Sequence, residues 1–269
     1  MTQVHSFTDP QYVRKQYQDA SNLNARIRLH QEFSTNPQNW QHWLFDRFAF
    51  TPNCRVLELG CGAGTLWIEN TARIPADAQI ILSDLSEGMV AQAHAGLQAG
   101  YANLQFKTID AQEIPFEDGG FDIVIASSML YHVSDLEKAL GEIRRVLKPG
   151  GHLYASTAGQ NHLKEMHELV ARFDPQLAAW GSLPADSFTL ENGAARLGVF
   201  FSRITRLDYP NALEVTDAEA LVAYLLSGRI HMEGERKAEF ARFVQQTLAD
   251  HGGIFHVTIE GGVFDAVMA

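Results

Sequence analysis

Short segments of β-branched and aliphatic residues alternate with helix-patterned segments between residues 54 and 157. In the last of these helix-patterned segments, Leu136, Leu140 and Ile143 share one face. Strands that alternate with helices are joined by right-handed crossovers, which give a parallel sheet covered on both faces. The pattern therefore predicts an α/β fold with a doubly wound, mostly parallel sheet. The predicted strands are Arg55–Leu59, Gln79–Asp84, Leu104–Ile109, Phe121–Ala126 and Gly151–Thr157, and the predicted helices are 65–73, 86–99 and 134–147.

Helical spacing also occurs on both sides of this alternating region. Residues 1–50, with Leu23, Ile27 and His30 at helical spacing, are predicted to form one or two helices against the core. Two interpretations are open for the helices inserted after the core. They cover the core, or they form a lid over a ligand site, since ligands bind beyond the carboxyl ends of parallel strands. The further predicted elements are helices at 160–198, 216–227 and 234–250, a strand at Phe200–Tyr209, and a strand, Gly261-Gly262 turn and strand within Ile254–Ala269.

The composition excludes several classes of protein. The chain has 21 Lys+Arg and 32 Asp+Glu and a formal net charge of −11, which argues against binding to nucleic acid or to an anionic membrane. Cys54 and Cys61 are too few for a disulfide framework or a four-thiolate zinc site. The sequence shows no signal-peptide pattern and no apolar run near the ~18 residues of a membrane span. We expect a cytoplasmic protein.

A glycine-rich turn follows the first predicted strand, in Val56–Thr65 with the sequence VLELGCGAGT. Glycines let the chain turn sharply and let a ligand approach the backbone. A dinucleotide fingerprint GxGxxG starting at Gly60 requires glycine at the position of Thr65. The carboxylate of Glu58, just before the turn, would repel a pyrophosphate and attract a cation. The turn therefore favours a positively charged ligand.

Two more acids end the next two predicted strands. Asp84 follows the second strand and is placed to accept hydrogen bonds from two ribose hydroxyls, as in other doubly wound folds. Asp110 follows the third strand, where it can accept from an adenine amino group while the backbone of Ala111 contacts the ring. Together with Glu58, these acids describe a pocket for adenine, ribose and a positive group.

At these residues the chain resembles the class I S-adenosylmethionine-dependent methyltransferases, in particular the small-molecule branch that includes the ubiquinone/menaquinone-biosynthesis type. The resemblance is carried, in order, by the stretches VLELGCGAGT, LSDLSEGM, TIDAQEIPFEDGGFDIVIASSMLYHVSD and EIRRVLKPGG. It implies a Rossmann-like sheet of seven strands whose last strand, at Val263–Met268, is antiparallel, with helical cap insertions. It also implies S-adenosylmethionine as the cofactor and S-adenosylhomocysteine as the product.

The resemblance also assigns roles to individual residues. Glu58, Gly60, Gly62 and Gly64 are expected to hold the methionine part, and Asp84 the ribose. Leu85 and Met89 are expected to flank the adenine, whose edge contacts Asp110 and Ala111. Arg26 is a candidate partner of the methionine carboxylate, the alternative being a solvated arginine on a helix face. The other expected cofactor contacts are Cys61, Gln112 and Ser127.

The resemblance predicts one methyltransferase domain over residues 1–269. Its expected parts are an N-terminal helical cap at 1–50, the S-adenosylmethionine-binding core at 51–157, and helical insertions at 160–198 and 211–250 over the acceptor side. After the fourth strand, Tyr131 and His132 are the candidate catalytic residues, with His132 as a general base if the acceptor carries a proton. The alternative is that His132 only orders its loop.

Several acceptors are disfavoured by the residues after the fourth strand. The sequence ASSMLYH there lacks the Asn/Asp-Pro-Pro-Tyr/Phe pattern of amino-group methylation of nucleobases or glutamine. Pyrimidine C5 methylation needs a nucleophilic cysteine in the pocket, where neither cysteine is expected. No metal is expected either, because the step of five residues from His162 to His167 rotates a helix by about 500°, leaving them on different faces as surface histidines.

The remaining prediction is methyl transfer by in-line displacement to an O, N or C nucleophile of a small-molecule acceptor. Three alternatives stay open: a nucleotide-cofactor dehydrogenase, which Thr65 and Glu58 disfavour; a noncatalytic S-adenosylmethionine-binding protein; and a methyltransferase acting on a macromolecule such as RNA, which the acidic charge disfavours. Neither the acceptor nor the oligomeric state follows from the sequence.

Overall fold

The computed structural model describes residues 21–97, 103–177, 186–227 and 232–269. Its seven-stranded sheet has the order β3-β2-β1-β4-β5-β7-β6. Strands β1 to β5 run parallel, and β7 runs antiparallel to both β5 and β6. The predicted doubly wound fold with an antiparallel last strand is confirmed. The strands are β1 Arg55–Leu59, β2 Gln79–Asp84, β3 Leu104–Thr108, β4 Phe121–Ser127, β5 Leu147–Ala158, β6 Arg203–Val215 and β7 Phe255–Val267.

Helices cover both faces of the sheet and one of its edges. Residues 1–20 and 178–185, which are parts of the predicted helical segments 1–50 and 160–198, lie outside the described residues. Within the described ranges, no helix is both long and apolar enough to cross a membrane. The helices are α1 Ser21–Phe33, α2 Trp40–Phe45, α3 Thr65–Glu69, α4 Glu87–Leu97, α5 Leu136–Val146, α6 Lys164–Phe173, α7 Gly193–Leu197, α8 Ala218–Leu226 and α9 Gly234–Asp250, with 3-10 turns at Thr71–Arg73, Leu130–His132 and Pro175–Leu177.

Helix α3 is shorter than the predicted helix at 65–73. The side-chain amide of Asn70 donates to Leu66 O at 2.8 Å, and the Thr71 hydroxyl donates to Ile68 O at 2.6 Å. Side chains that bond nearby carbonyls compete with the helical hydrogen-bond ladder, so α3 ends at Glu69 and a separate 3-10 turn follows.

The expected Gly261-Gly262 turn does not form, and this prediction is wrong. Strand β7 continues through both glycines, with Gly261 paired to Tyr209 and Gly262 to Asp208 of β6. A Cβ atom at Gly262 would lie 2.7 Å from the carbonyl oxygen of Leu207. The glycine therefore permits a close approach of two backbones, which is the other reason for glycine within a strand.

Strands β6 and β7 extend past the carboxyl edge of the parallel strands. β5 ends at Ala158, paired with Gly261, whereas β7 begins at Phe255. The paired segments 210–215 and 255–260 therefore form a two-stranded ribbon beyond the sheet. An apolar cluster joins this ribbon to α1, α6, α8 and α9, so these helices stand at the edge where ligands bind. The members of the cluster on the ribbon are Leu213, Val215, Phe255, Val257 and Ile259.

Candidate active site

The turn between β1 and α3 requires three glycines. Gly60, Gly62 and Gly64 have φ values of 69°, 54° and 77°, in the left-handed region that side chains disfavour. A Cβ atom at Gly60 would also lie 2.7 Å from the Cβ atom of Met129. The glycine pattern of the sequence is thus needed both by the turn and by the loop that follows β4.

Glu58 is buried at the end of β1. Its side chain is 2% exposed, and its Oε2 accepts a 2.5 Å hydrogen bond from the indole Nε1 of Trp67 on α3. Burial raises the pKa of Glu58 to about 8, the bond from Trp67 opposes this rise, and the charge of Asp84 adds to it. Ionised Glu58 therefore costs free energy in the absence of a positive partner.

Asp84 connects the end of β2 to the glycine turn. Its Oδ2 accepts from the Gly62 amide at 3.0 Å and its Oδ1 from the Ser86 amide at 2.9 Å. Burial raises the pKa of Asp84, and these two amide bonds oppose the rise. The structure thus brings together the predicted methionine and ribose ends of the site.

The third predicted acid lies at the surface. Asp110 accepts from the backbone amide of Gln112 at 2.9 Å and from its side-chain amide at 3.0 Å, while Ala111 is buried. The Oε1 atom of Gln112 accepts in turn from the Ser134 hydroxyl and the Asp135 amide, both at 3.0 Å. Gln112 thereby ties the end of β3 to the loop before α5.

The loop after β4 is held by a serine that sequence reasoning missed. The buried Ser156 of β5 places its Oγ 3.0 Å from the Oγ of Ser127 and accepts from the Ser128 amide at 2.9 Å. Ser128 has φ 53°, a left-handed conformation that is uncommon for serine. The rings of Tyr131 and His132, on the 3-10 turn of the same loop, are 4.6 Å apart.

Three other predicted contacts differ in their exposure. Leu85 is half-buried, while Met89 is 0% exposed in the core. Cys61 is buried, and burial together with the charges of Glu58 and Asp84 raises the pKa of its thiol well above the usual range. Cys61 therefore remains a neutral thiol. The contacts of Leu85, Met89 and Cys61 with a cofactor stay predictions.

Arg26 lies against the end of α8. Its Nε donates to Ser227 Oγ at 3.1 Å and its Nη2 to Ser227 O at 2.9 Å. The guanidinium thus joins α1 to the end of α8, and its pairing with a methionine carboxylate stays a prediction.

The expectation that His162 and His167 are surface histidines is wrong. Both residues are half-buried, and Nδ1 of His162 and Nε2 of His167 are shielded from solvent, because α1 and the ribbon of β6 and β7 cover this region. Within the described ranges, no group of three or more histidine, cysteine, aspartate or glutamate side chains is placed to hold a metal ion.

Trp67 and Ser156 are the residues of this site that sequence reasoning missed. A buried tryptophan in a short helix and a serine near the end of a strand are both common, so neither carries a signal of its own. Their partners, Glu58 and Ser128, come from other elements of the fold.

The carboxyl edge of the sheet fits a cationic ligand better than a phosphate. Glu58 is buried and Asp84 is half-buried; burial is the main cause of the raised pKa of Glu58, and repulsion from the charge of Asp84 adds to it. A positive group relieves that repulsion, whereas a pyrophosphate would add to it. These residues fit the sulfonium and ammonium groups of S-adenosylmethionine.

A family described as a methyltransferase domain matches residues 50–190, more than half of the 269-residue chain. The chain belongs to this methyltransferase family. The matched part of the methyltransferase runs from just before β1 to the loop before α7 and so includes the glycine turn and all three strand-end acids. S-adenosylmethionine is the cofactor of this class of enzyme.

Individual proteins resemble the methyltransferase over shorter ranges. It is 30% identical over 116 residues to the ubiquinone/menaquinone biosynthesis C-methyltransferase UbiE of Idiomarina loihiensis, which covers 42% of this chain and 46% of that protein. It is 31% identical over 156 residues to the demethylmenaquinone methyltransferase of Symbiobacterium thermophilum, which covers 56% of this chain and 60% of that protein. The chain therefore spans about half the length of the curated relatives it matches.

A solved structure resembles the methyltransferase over nearly its whole length. The [4+2]-cyclase SpnF has a TM-score of 0.61 at 20% sequence identity, over 96% of each chain. At this identity the similarity shows the fold alone. Because that neighbour is named for a cyclisation, the reaction must be argued from the site of this chain.

Proposed function

We propose that this chain transfers the methyl group of S-adenosylmethionine to an O, N or C nucleophile of a small-molecule acceptor. The observation that carries the proposal is the pair of carboxyls at the strand ends, the buried Glu58 and the half-buried Asp84, beside three left-handed glycines. When bound, S-adenosylmethionine supplies an electrophilic methyl group on a positively charged sulfur.

The residues of the chain bind and orient the cofactor and the acceptor, and they exclude water from the site. In this proposal Glu58 and the turn at Gly60, Gly62 and Gly64 hold the methionine part, and Asp84 holds the ribose. Asp110 and Ala111, positioned through Gln112, hold the adenine edge. Because the methyl group is already activated, alignment and exclusion of water are the main contributions of the protein. The helical segments at 1–50, 160–198 and 211–250 would form the cap over the acceptor side.

His132 is the proposed general base for a protonated acceptor, with Tyr131 beside it. A neutral imidazole at the end of β4 can accept a proton from an acceptor hydroxyl. We expect His132→Ala to lower turnover at saturating S-adenosylmethionine. The matched control is His256→Ala at the surface, where the side chain is 70% exposed. Unchanged turnover in His132→Ala would leave this histidine with an ordering role only.

The acceptor class is tested first with quinols, because one relative is named for ubiquinone/menaquinone biosynthesis and the other for demethylmenaquinone. Calorimetric titrations with S-adenosylhomocysteine and with NAD test the cofactor, and we expect only the former to bind. Transfer of a radiolabelled methyl group is then measured with quinols, with a small-metabolite extract and with total RNA. Label in a small molecule supports the proposal. Tight binding of NAD, label only in RNA, or no label in any pool contradicts it.

A further inference from the structure

Three histidines from different elements lie near one another beyond the carboxyl edge of the sheet. His30 lies on α1, His162 in the loop after β5 and His167 on α6; we refer to these three residues as the histidine cluster. Burial and then the charges of His30 and His167 lower the pKa of His162, so both of these histidines lie close to His162. The cluster thus joins the N-terminal cap to the loop that leaves the carboxyl edge of the sheet.

The loop that carries His162 is fixed to the extended part of β7. The Leu163 amide donates to Thr258 O at 2.8 Å, and the Asn161 amide donates to Oε2 of Glu260 at 2.9 Å. At the preceding end of β5, Ser156 holds the loop after β4 through the Ser128 amide. His162 is therefore held on the same edge of the sheet as Ser127, an expected cofactor contact, and His132, the candidate general base.

The imidazole of His162 has hydrogen-bonding capacity that the surrounding protein leaves unused. Its Nδ1 atom is shielded from solvent and has no hydrogen-bond partner among the described residues. Buried polar atoms in folded proteins are nearly always satisfied by protein, water or ligand. This unsatisfied atom belongs to a half-buried ring, so a ligand group that reaches it would supply the missing hydrogen bond.

The histidine cluster is uncharged at neutral pH. Burial lowers the pKa of His162 to about 3 and that of His30 to about 4, and burial also lowers the pKa of His167. Neutral imidazoles donate or accept single hydrogen bonds but do not attract phosphate or carboxylate groups as cations do. The recognised group is thus a neutral donor or acceptor, such as a hydroxyl.

The surroundings of the histidine cluster are mostly apolar, apart from the carboxylate of Glu165, whose charge acts on His167. The ring of His30 lies 6.0 Å from that of Tyr224 on α8. The flanking residues of both α6 and α1 belong to the buried apolar cluster beneath the cap. A ligand that reaches His162 therefore contacts mostly hydrocarbon, with few polar groups to fix its orientation. The buried apolar residues adjacent to the three histidines in the chain are Leu29, Leu163 and Met166.

We propose that the histidine cluster is part of the acceptor site and that Nδ1 of His162 forms a hydrogen bond with a hydroxyl of an uncharged, mostly apolar acceptor. This inference rests on the proposed function, since it names the class of acceptor that would receive the methyl group. It assigns to His162 the binding of the acceptor, while the cofactor residues remain those of the glycine turn and the strand ends.

The test compares two probes that differ by one hydroxyl, 4-butylphenol and butylbenzene. Protein labelled with ¹⁵N-histidine is saturated with S-adenosylhomocysteine, and the ring nitrogens are followed by NMR, with His162 assigned through His162→Leu. We expect 4-butylphenol to shift the Nδ1 signal of His162, and butylbenzene to leave it in place. We also expect His162→Leu to weaken 4-butylphenol binding about tenfold and to leave S-adenosylhomocysteine affinity unchanged. His256→Leu at the surface is the matched control.

The inference is overturned if 4-butylphenol fails to bind or if both probes shift Nδ1 alike. It is also overturned if His162→Leu binds the phenol as tightly as the unaltered protein does. The NMR comparison uses the unaltered protein, so it decides the matter even if His162→Leu does not fold. The proposed function fails separately, through absent S-adenosylhomocysteine binding or absent methyl transfer to small molecules. Binding of S-adenosylhomocysteine with no response at His162 would overturn this inference alone.

Discussion

The indole Nε1 of Trp67 donates a 2.5 Å hydrogen bond to Oε2 of Glu58, and both side chains are almost completely shielded from solvent. The bond spans the glycine turn, because Glu58 ends β1 and Trp67 lies in α3. An indole N–H that bonds one carboxyl oxygen restricts the orientation of the whole carboxyl group. Trp67 is therefore a positioning residue for the expected partner of the methionine ammonium.

We predict that Trp67→Phe weakens S-adenosylhomocysteine binding about tenfold and lowers the free energy of unfolding by ~1–3 kcal/mol. The substitution keeps an aromatic ring but leaves Oε2 of Glu58 without its donor. Isothermal calorimetry and urea unfolding measure the two effects. The matched control is Trp43→Phe, since Trp43 is also buried and stacks on Trp40. Equal affinity of the unaltered protein and Trp67→Phe for S-adenosylhomocysteine would contradict the positioning role.

The pKa of Glu58 predicts a loss of stability as pH rises. Glu58 titrates at about 8 in the folded protein against an ordinary value of 4.5, so the folded state holds this proton more tightly than the unfolded state does. The stabilising contribution is complete below pH 4.5 and is lost as pH rises through 8, with a slope of up to about 1.4 kcal/mol per pH unit. Asp84, whose pKa is also raised, acts in the same direction.

Urea unfolding between pH 5 and pH 9 tests this contribution of Glu58. We expect Glu58→Gln to reduce the slope, because glutamine does not titrate and still offers an acceptor to Trp67. The exposed Glu69 supplies a matched control, Glu69→Gln. An identical pH profile for Glu58→Gln and the unaltered protein would show that Glu58 titrates normally.

We predict that Asp84→Ala weakens S-adenosylhomocysteine binding and also destabilises the unliganded protein by ~1–3 kcal/mol. Both effects follow because the carboxylate accepts from the amides of Gly62 and Ser86, which lose their partner. Calorimetry and thermal unfolding separate the two quantities. Asp250→Ala, in the last turn of the exposed α9 surface, is the control. Unchanged stability in Asp84→Ala would mean that water replaces the carboxylate at the glycine turn.

We predict that Ser156→Ala lowers methyl-transfer turnover while S-adenosylhomocysteine affinity changes little. The Ser156 hydroxyl holds the Ser128 amide at 2.9 Å and so supports a left-handed residue whose conformation costs of order 1 kcal/mol. Its loss frees the loop that carries Tyr131 and His132. Steady-state kinetics measure the effect, with the exposed Ser202→Ala as the control. Full turnover in Ser156→Ala would show that the loop keeps its conformation without this bond.

Elements with a strong local pattern are predictable from the sequence. The helix predicted at 234–250 is observed as Gly234–Asp250, and β1 and β2 have the predicted bounds. Side-chain periodicity reports which face of an element is buried, and that is a property of the element itself. The prediction of a turn at Gly261-Gly262 was wrong because two glycines are suited both to a tight turn and to a close approach of strands. The local sequence does not distinguish these two uses.

The candidate site likewise contains residues that the sequence predicts and contacts that it does not predict. The glycine turn and the acids Glu58, Asp84 and Asp110 could be placed from the sequence, because parallel strands all present their carboxyl ends at one edge. The hydrogen bond from Trp67, the support of Ser128 by Ser156 and the burial of His162 could not. Each depends on contact between segments that are separate along the chain, as with Arg26 and Ser227, which are 201 positions apart.

The sequence by itself determined the order of strands and helices along the chain and the identity of the residues at the strand ends. Periodicity and glycine geometry act over a few residues, so the local sequence is enough to reveal them. Only the tertiary structure decided which of those residues are buried, what holds them and how their pKa values shift. Desolvation and hydrogen bonding depend on the atoms that surround a group in space. In this protein those atoms come from α1, α3 and the ribbon of β6 and β7 as well as from the sheet.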